Sequence, residues 1–401
     1  MPDKLRQYRR FAAPATFRGP LAALASCLFV LVSLAFAARA DAPAGITRTY
    51  YIAADEVDWN YMPTGLDGMM GMAPTGYAKL FAEPSLHSLG SVYRKAMYRE
   101  YTDATFAHLK PRPAQDAYLG IAGPILHAEV GDTIKVVFRN HGTHPYSMHP
   151  HGVSYDKASE GSAYADGVAT WQKGGDSVAP GATFTYTWGV PERAGPGPSD
   201  PSSIVWLYHS HVRERRDVNS GLIGAIVVTR RGMARPDGTP NDVDKEFVAF
   251  FVAFDENQSW FINDNIKRFA PKPKKYDKFN GNSVDFDGNN DFLIGRGSAN
   301  QNVRMTINGY MFADGPAATM KKGDRVRWYV VSLGEGLNFH TPHWHGNTVL
   351  VNGQRTDVLS LAPAQMVTAD MVPDNPGTWL FHCHVSEHME GGMSARYDVL
   401  P

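Results

Sequence analysis

The segment WLFHCHVSEHMEGGM, residues 379–393, decides how the rest of the chain is read. An extended strand sends successive side chains to opposite faces, so His382 and His384 share one face and Cys383 points to the other. His388 follows His384, and Met393 lies beyond a turn at Gly391 and Gly392. The cysteine side thus gathers a thiolate, an imidazole and a thioether, the soft donors that suit copper in blue electron-transfer sites. The opposite side offers two imidazoles to something else. One tripeptide is expected to wire two metal sites together.

Alone, a His-x-His is most often a solvated or hydrogen-bonded pair, and a buried Cys is usually an inert small hydrophobe. Recurrence changes that reading. HPHG carries His149 and His151, HSH carries His209 and His211, and HTPHWHG carries His340, His343 and His345. With His382, His384 and His388, these clusters hold ten of the fifteen histidines, so chance is a poor account.

The chain of 401 residues is ample for a buried core and suggests two domains. Its N-terminus reads as a secretion signal. Lys4, Arg6, Arg9, Arg10 and Arg18 precede an apolar run at 21–37, and Ala38-Arg39-Ala40 supplies a small-residue cleavage site. The small residues argue against a transmembrane anchor. The spacing of Arg9-Arg10 to Phe11 is off for twin-arginine export, and the apolar run continues well past a faint lipoprotein box at Cys27. Cleavage near Ala40 and export, periplasmic or secreted, are expected. That cut takes six basic residues and one acidic residue from the 39 and 40 present, leaving 33 against 39 and a net charge of −6. No basic stripe remains for nucleic acid, and no second long apolar segment for a membrane. Cys383 becomes the only cysteine, which excludes an intramolecular disulfide. A single thiol in an oxidising compartment is open to oxidation unless a metal holds it.

Alternation predicts strands at 46–52, 133–138, 183–188, 205–211 and 222–229, then at 247–254, 303–309, 325–332, 365–371, 378–385 and 394–400. Helical periodicity is hardly present. The stretch 56–113 reads as irregular and rich in aromatics. Its Met62, Met69, Met70 and Met72 read as flexible packing, with a copper-docking surface as the alternative. Residues 267–300 have no hydrophobic period and are expected to be exposed and mobile; their DFDGNND resembles a calcium loop only by chance, because its Gly is misplaced. Each half runs Gly-Asp, strand, His-x-His-Gly, Pro-Gly turn, His-x-His, closing strand. The fold expected is all-β, two Greek-key β-sandwich domains at 41–232 and 246–401, with a linker at 233–245 and the signal at 1–40.

At this point the chain resembles the multicopper oxidases, which are built from cupredoxin domains. It looks most like their ceruloplasmin and hephaestin branch, reduced to two domains. The motifs that carry the likeness are YYIAADEVDWNY, YREYTDATF, GPILHAEVGD, HPHGVSYDKASEG, YHSHVRERRDVNSGLIGAIVV, DENQSWFINDNI and HCHVSEHMEGGM. The resemblance implies four coppers per subunit. Type 1 copper would take His340, Cys383, His388 and Met393. Type 2 would take His149 and His343, and the type 3 pair His151, His209, His211, His345, His382 and His384. Where the second half has Cys383 and His388 the first has Ser210 and Arg215, which cannot replace thiolate and imidazole, so type 1 copper is expected only in the second half.

The activity implied is one-electron oxidation of a reduced substrate (a phenolic compound, as in laccases, or a metal ion such as Fe(II), Cu(I) or Mn(II), as in ferroxidases and their relatives) coupled to reduction of O2 to water. The donor is expected to deliver near His388, the ligand expected to lie nearest the surface. Asp166 resembles the family's acidic residue near the cluster and is a candidate proton relay, its alternative role being to cap its own turn before Gly167. Glu387 is a candidate for docking Fe(II) or taking a phenol proton. As in the two-domain laccases it resembles, the first domain of one subunit would meet the second domain of the next, giving a homotrimer. Copper nitrite reductases fit less well, since they resemble the reverse arrangement. The competing class is a non-enzymatic copper-sequestering protein, against which the completeness of the ligand set argues.

Overall fold

The first half is built from β1 (Thr47–Asn60), β2 (Val92–Tyr101), β3 (Leu126–Glu129), β4 (Thr133–Asn140), β5 (His149–Pro150), β6 (Thr183–Gly189), β7 (Ser203–His209) and β8 (Ile223–Thr229). The second comprises β9 (Lys245–Asp255), β10 (Val303–Ile307), β11 (Ala318–Lys321), β12 (Val326–Ser332), β13 (Pro342–Trp344), β14 (Val349–Val351), β15 (Gln354–Thr356), β16 (Met366–Met371), β17 (Gly377–Cys383) and β18 (Ser394–Leu400). This computed structural model describes residues 45–84, 88–270, 302–334 and 339–401. Strands of the first half form sheets in the orders β2-β1-β4-β6 and β3-β8-β7-β5. Those of the second repeat the pattern as β10-β9-β12-β16 and β11-β18-β17-β13, with β14 and β15 added at one edge. The parallel pairs recur too: β1 with β4 and β3 with β8, then β9 with β12 and β11 with β18. The same cupredoxin β-sandwich has been built twice.

Each sandwich closes because its strands alternate. On β4, Ile134, Val136 and Phe138 are buried while Lys135 is exposed. They meet Tyr186 and Trp188 of β6 and, from the facing sheet, Leu126, Ala128, Ile226 and Val228. The second sandwich centres on Trp328, whose ring lies 5.1 Å from Phe381, 5.9 Å from Trp344 and 6.0 Å from Tyr397. Strand β9 departs from alternation and is buried on both faces, so its FVAFFVAF reads as a continuous apolar run. Its outer face is covered by the first half, and one hydrophobic core runs from Tyr93, Leu207 and Ile223 to Phe250 and Val252. The described residues of both halves accordingly form a single compact unit, although no strand longer than the isolated Ala234–Pro240 bridge lies between 230 and 244.

Several features differ from the sequence expectation. β1 runs to Asn60, and β2 lies inside the stretch read as irregular. Its VYRKAMYREY looks too charged for a strand, yet Lys95 is fully buried. Its ammonium pairs with the buried carboxylate of Glu256 in the second half and donates to Asn219 O at 2.6 Å. Among the described residues there are also four short α-helices: α1 (Gly76–Ala82), α2 (Glu214–Ser220), α3 (Ile262–Phe269) and α4 (Ser386–Glu390). All are too brief for a 3.6-residue period to emerge from sequence. α3 overlaps the start of the stretch expected to be a mobile loop. The remainder of that stretch, with DFDGNND, and the expected signal segment lie outside the described residues. Among the described residues no helix is long and apolar enough to cross a membrane.

Breaking a buried pair strands the surviving charge. Lys95→Ala should lower the unfolding free energy by about 3–5 kcal/mol in urea titrations, and replacing Lys95 by Met together with Glu256 by Leu should recover most of it. A loss below about 1 kcal/mol in the single variant would mean that the pair does not lock the halves.

Candidate metal centre

Strand β17 ends at Cys383, and β13 pairs with it antiparallel so that His343 faces His382 and Pro342 faces Cys383. This register brings His340, just before β13, to the sulfur side. Helix α4 then turns the chain back: Met393 N donates to His388 O at 2.9 Å, and Cys383 N to Met393 O at 3.0 Å. As a result Cys383 Sγ lies 3.6 Å from His388 Nδ1 and 3.9 Å from His340 Nδ1, with the two nitrogens 3.1 Å apart. Thr341 N–H also points at the sulfur, at 3.4 Å.

Cys383 and Met393 are fully buried, His340 is 1% exposed and His388 6%. His388 is therefore the least covered of the four, as expected, though still buried. Burial pushes His340 down to about 3 and lowers His388, with the charge of Glu387 opposing, while burial raises the Cys383 thiol. Both imidazoles are thus neutral near pH 7, with lone pairs converging beside the sulfur. Two nitrogens each about 2.0 Å from one tetrahedral ion would stand about 3.3 Å apart, close to the spacing seen. The His2Cys set, with Met393 in the same buried cluster, fits copper.

On the other side of the tripeptide, His382 Nδ1 lies 2.9 Å from Cys383 O, which fixes its tautomer and leaves Nε2 free as a donor to metal. That Nε2 lies 3.1 Å from His343 Nδ1 and 3.0 Å from His345 Nε2. The ring of His384 is 5.3 Å from that of His343 and 5.6 Å from that of His382. Alternation has therefore separated Cys383 from both flanking imidazoles.

The first half builds the matching group. His149 on β5 faces His209 on β7, and His151 Nε2 lies 3.2 Å from His209 Nε2. The His149 ring stands 5.1 Å from that of His211. His209 Nδ1 lies 3.1 Å from Ser210 O, repeating the contact of His382 with the carbonyl of the residue after it. Nδ1 of His149 is held by Glu160 O at 2.7 Å and that of His211 by Ser162 Oγ at 3.0 Å, two supports the sequence did not announce. The glycine of each His-x-His-Gly has a physical reason. Gly152 and Gly346 have φ of +75° and +72°, and a Cβ there would come within 2.1 Å of the Trp206 ring or 2.5 Å of the Trp379 ring. Each tryptophan stands three residues before its His-x-His, so this was a legible signal that went unread.

Among the ring contacts of the described residues, none joins an imidazole of one half to an imidazole of the other; the structure gathers two groups, not one. In the first half, Ser210 Oγ donates to Asp217 at 2.7 Å, where the second half has its sulfur. Asp166 accepts from Val168 N at 3.0 Å and Lys173 Nζ at 3.0 Å, and Lys157 lies 3.3 Å away. That turn-capping bond and the two lysines hold its carboxyl at about 2. It stays ionised at neutral pH, and its bond to Val168 N makes the turn cap that was its alternative role. Glu387 is exposed in the first turn of α4 beside His388. The Met-rich stretch exposes Met70 and Met72 and buries Met62. It lies over the sulfur site, since Gly68 N bonds Phe312 O at 2.8 Å and Phe312 N bonds Gly392 O at 2.7 Å.

Two multicopper oxidase family models match, one over residues 119–232 and the other over 283–401. The chain is 41% identical to human ferroxidase HEPHL1 over 94% of its own length and 31% of that protein. It is 39% identical to human hephaestin (88% and 29%) and 38% identical to human ceruloplasmin (88% and 32%). It thus spans about a third of the length of the curated relatives it matches. A solved multicopper oxidase superposes with a TM-score of 0.53 at 19% identity, covering 88% of this chain and 89% of that one. The blue copper oxidase of Nitrosomonas europaea gives 0.52 at 18%, covering 88% and 86%.

Burial also pushes His151 and His382 down to about 4. Unfolded histidines take protons near pH 6.5, so between about 6.5 and 4 the unfolded chain binds more protons than the folded one. The metal-free protein should therefore be most stable above pH 6.5 and melt at progressively lower temperature as pH falls, with up to about 1.4 kcal/mol per pH unit from His340 alone. Thermal scans of copper-stripped protein from pH 7.5 to 4.5 (roughly the window where ν differs between states) check this, and a flat profile would contradict it.

Proposed function

Because the chain belongs to the multicopper oxidase family, we propose that it is an oxidoreductase that takes single electrons from a reduced substrate, a phenolic compound or a metal ion such as Fe(II) or Cu(I), and reduces O2 to water. The observation that carries this reading is the strand end at Cys383, with sulfur in one donor group and His382 in the next. His340, Cys383, His388 and Met393 would hold type 1 copper. His149 and His343 would hold type 2, and the other six imidazoles the type 3 pair. Bound there, copper supplies the reversible one-electron chemistry and the site of O2 reduction.

The chain's own residues do the rest. A continuous covalent path runs from Cys383 Sγ through its backbone to His382 and His384. Burial of His340, Cys383 and Met393 excludes water and holds the donor set still. The 6% exposed His388 is the edge through which a reduced donor would deliver its electron, and the exposed Glu387 beside it would dock a metal ion or take a phenol proton. Asp166, fixed as an anion, would anchor through Lys157 the lobe whose Glu160 carbonyl holds His149.

One chain carries the two imidazole groups apart, so completing the cluster calls for the first half of one copy to face the second half of another. A head-to-tail homotrimer closes that contact. Supporting it, the lobe that wraps His149 leaves Tyr164 53% and Trp171 82% exposed, and Phe339 beside His340 is 61% exposed. Exposed tryptophans of this kind are typical anchors of interfaces. Export, periplasmic or secreted, belongs to the same proposal through the segment 1–40.

Cys383→Ser should lose the intense red-region absorption and O2 uptake together, with Fe(II), Cu(I), Mn(II) or a phenol as donor; turnover that survives would sink the electron path. Trp171→Ala should shift light scattering from trimer towards monomer and cut O2 uptake by at least about tenfold while the red band persists. An unsubstituted protein fully active as a monomer would refute the assembly.

A further inference from the structure

In the second half, helix α4 sends His388 back towards Cys383, the middle residue of His-x-His. In the first half, helix α2 sends Asp217 back towards Ser210, the equivalent middle residue, and Ser210 Oγ donates to Asp217 Oδ2 at 2.7 Å. Asp217 is fully buried. Its Oδ2 also accepts from Arg213 N at 3.0 Å, and its Oδ1 from Trp260 Nε1 at 2.7 Å. Trp260 belongs to the second half, on the segment between β9 and α3. Its backbone N–H reaches Ser220 Oγ on the same helix at 3.1 Å, and its ring stacks on His144 with centroids 4.3 Å apart.

The hydroxyl that Asp217 holds is central to the first imidazole group. Ser210 Oγ accepts from Ser147 N at 3.1 Å, and Ser147 Oγ in turn accepts from His211 N at 3.0 Å and donates to Gly161 O at 2.7 Å. His209 and His211 flank Ser210 directly. A buried carboxylate with three donors aimed at it is a rigid anchor, since each bond is charge-assisted and water cannot compete.

We infer that Asp217 is a positioning residue for His209 and His211, a carboxylate clamp standing in the first half where the second half would use a metal ion to fix the middle of its tripeptide, and tied through Trp260 to the second half. This rests on the reading of the first-half imidazoles as copper ligands. Truncation of Asp217 frees Ser210, loosens both flanking rings and leaves the sulfur site of the second half untouched.

The test is copper content by elemental analysis, with the near-ultraviolet band of the type 3 pair and the red band read in parallel on fully copper-exposed protein. Asp217→Ala should keep the red band, fall from about four coppers per chain towards about one, and lose the type 3 band at least about tenfold. Asp217→Asn should lie between, because the amide offers one acceptor but turns a second donor against the donors already there. Trp260→Phe removes one bond while keeping the ring, and should weaken the type 3 band with the red band intact. Full copper and an unchanged type 3 band in Asp217→Ala overturn the clamp. If that variant loses the red band as well and so fails to fold, unchanged type 3 bands in both Asp217→Asn and Trp260→Phe overturn it. An unsubstituted chain that binds only about one copper would instead defeat the underlying reading of the first-half ligands.

Discussion

Neighbouring side chains on an extended strand cannot point the same way, and the chemistry of this chain depends on that restriction being held at one residue. Cys383 must face the buried core while His382 faces the opposite group, so the last turn of β17 has no freedom to twist. Its neighbours remove that freedom. β18 pairs along it through His382, β13 pairs up to Cys383, and the Cys383 N–H is held by Met393 O. A slip of one residue in either register would exchange the two faces and place sulfur among the imidazoles. Two sheet neighbours and a returning helix are what this single alternation requires.

The repeated sandwich sets such a device beside one that lacks it. Both halves have the same strand order and the same parallel pairs, and both place His-x-His at the end of the equivalent strand with a glycine-tryptophan contact nearby. What differs is the residue in the middle of the tripeptide and what the following helix offers to it. A thiol among neutral imidazoles makes a soft-metal site; a hydroxyl facing a buried carboxylate makes a closed hydrogen-bond network. The same fold thus holds a buried sulfur among imidazoles in one half and a buried carboxylate-hydroxyl pair at the equivalent place in the other. Fold alone does not decide function; one position and its partner do.

How much of this was legible depended on whether the signal was local. The sandwich strands with clean alternation, such as β4 and β18, were found within a residue or two, because one buried face writes a period of two into the sequence. The ten clustered histidines and Cys383 were visible for the same reason: candidate ligands on neighbouring strand ends come in short, repeated spacings. β2 was missed because Lys95 is buried against Glu256, a partner 161 residues away that no local pattern announces. Asp217 and Ser162 were missed likewise. Their importance lies in hydrogen bonds to His-bearing loops, and nothing in ERRDVNS or GSAY distinguishes them from solvated polar residues. The lysine partners of Asp166, seven and nine positions off in the chain and on the same lobe, were not announced by its sequence either.

The depressed basicity of the imidazoles also bears on assembly. If His151 and His382 kept the ordinary value, two groups of partly charged rings would have to be brought face to face between copies, and like charges at such distances repel. Burial holds both at about 4, so at neutral pH these two rings carry lone pairs and no charge. Lone pairs facing lone pairs contribute no attraction of their own; a shared cation does. Copies and copper would therefore stabilise each other by mass action, each completed cluster adding to the cohesion of the ring and each closed ring fixing the cluster. Exposed Trp171 and its neighbours would supply the apolar contact that lets copies meet before any ion arrives. On this account the split of the ligands between halves is what makes the oligomer and the metal centre a single equilibrium.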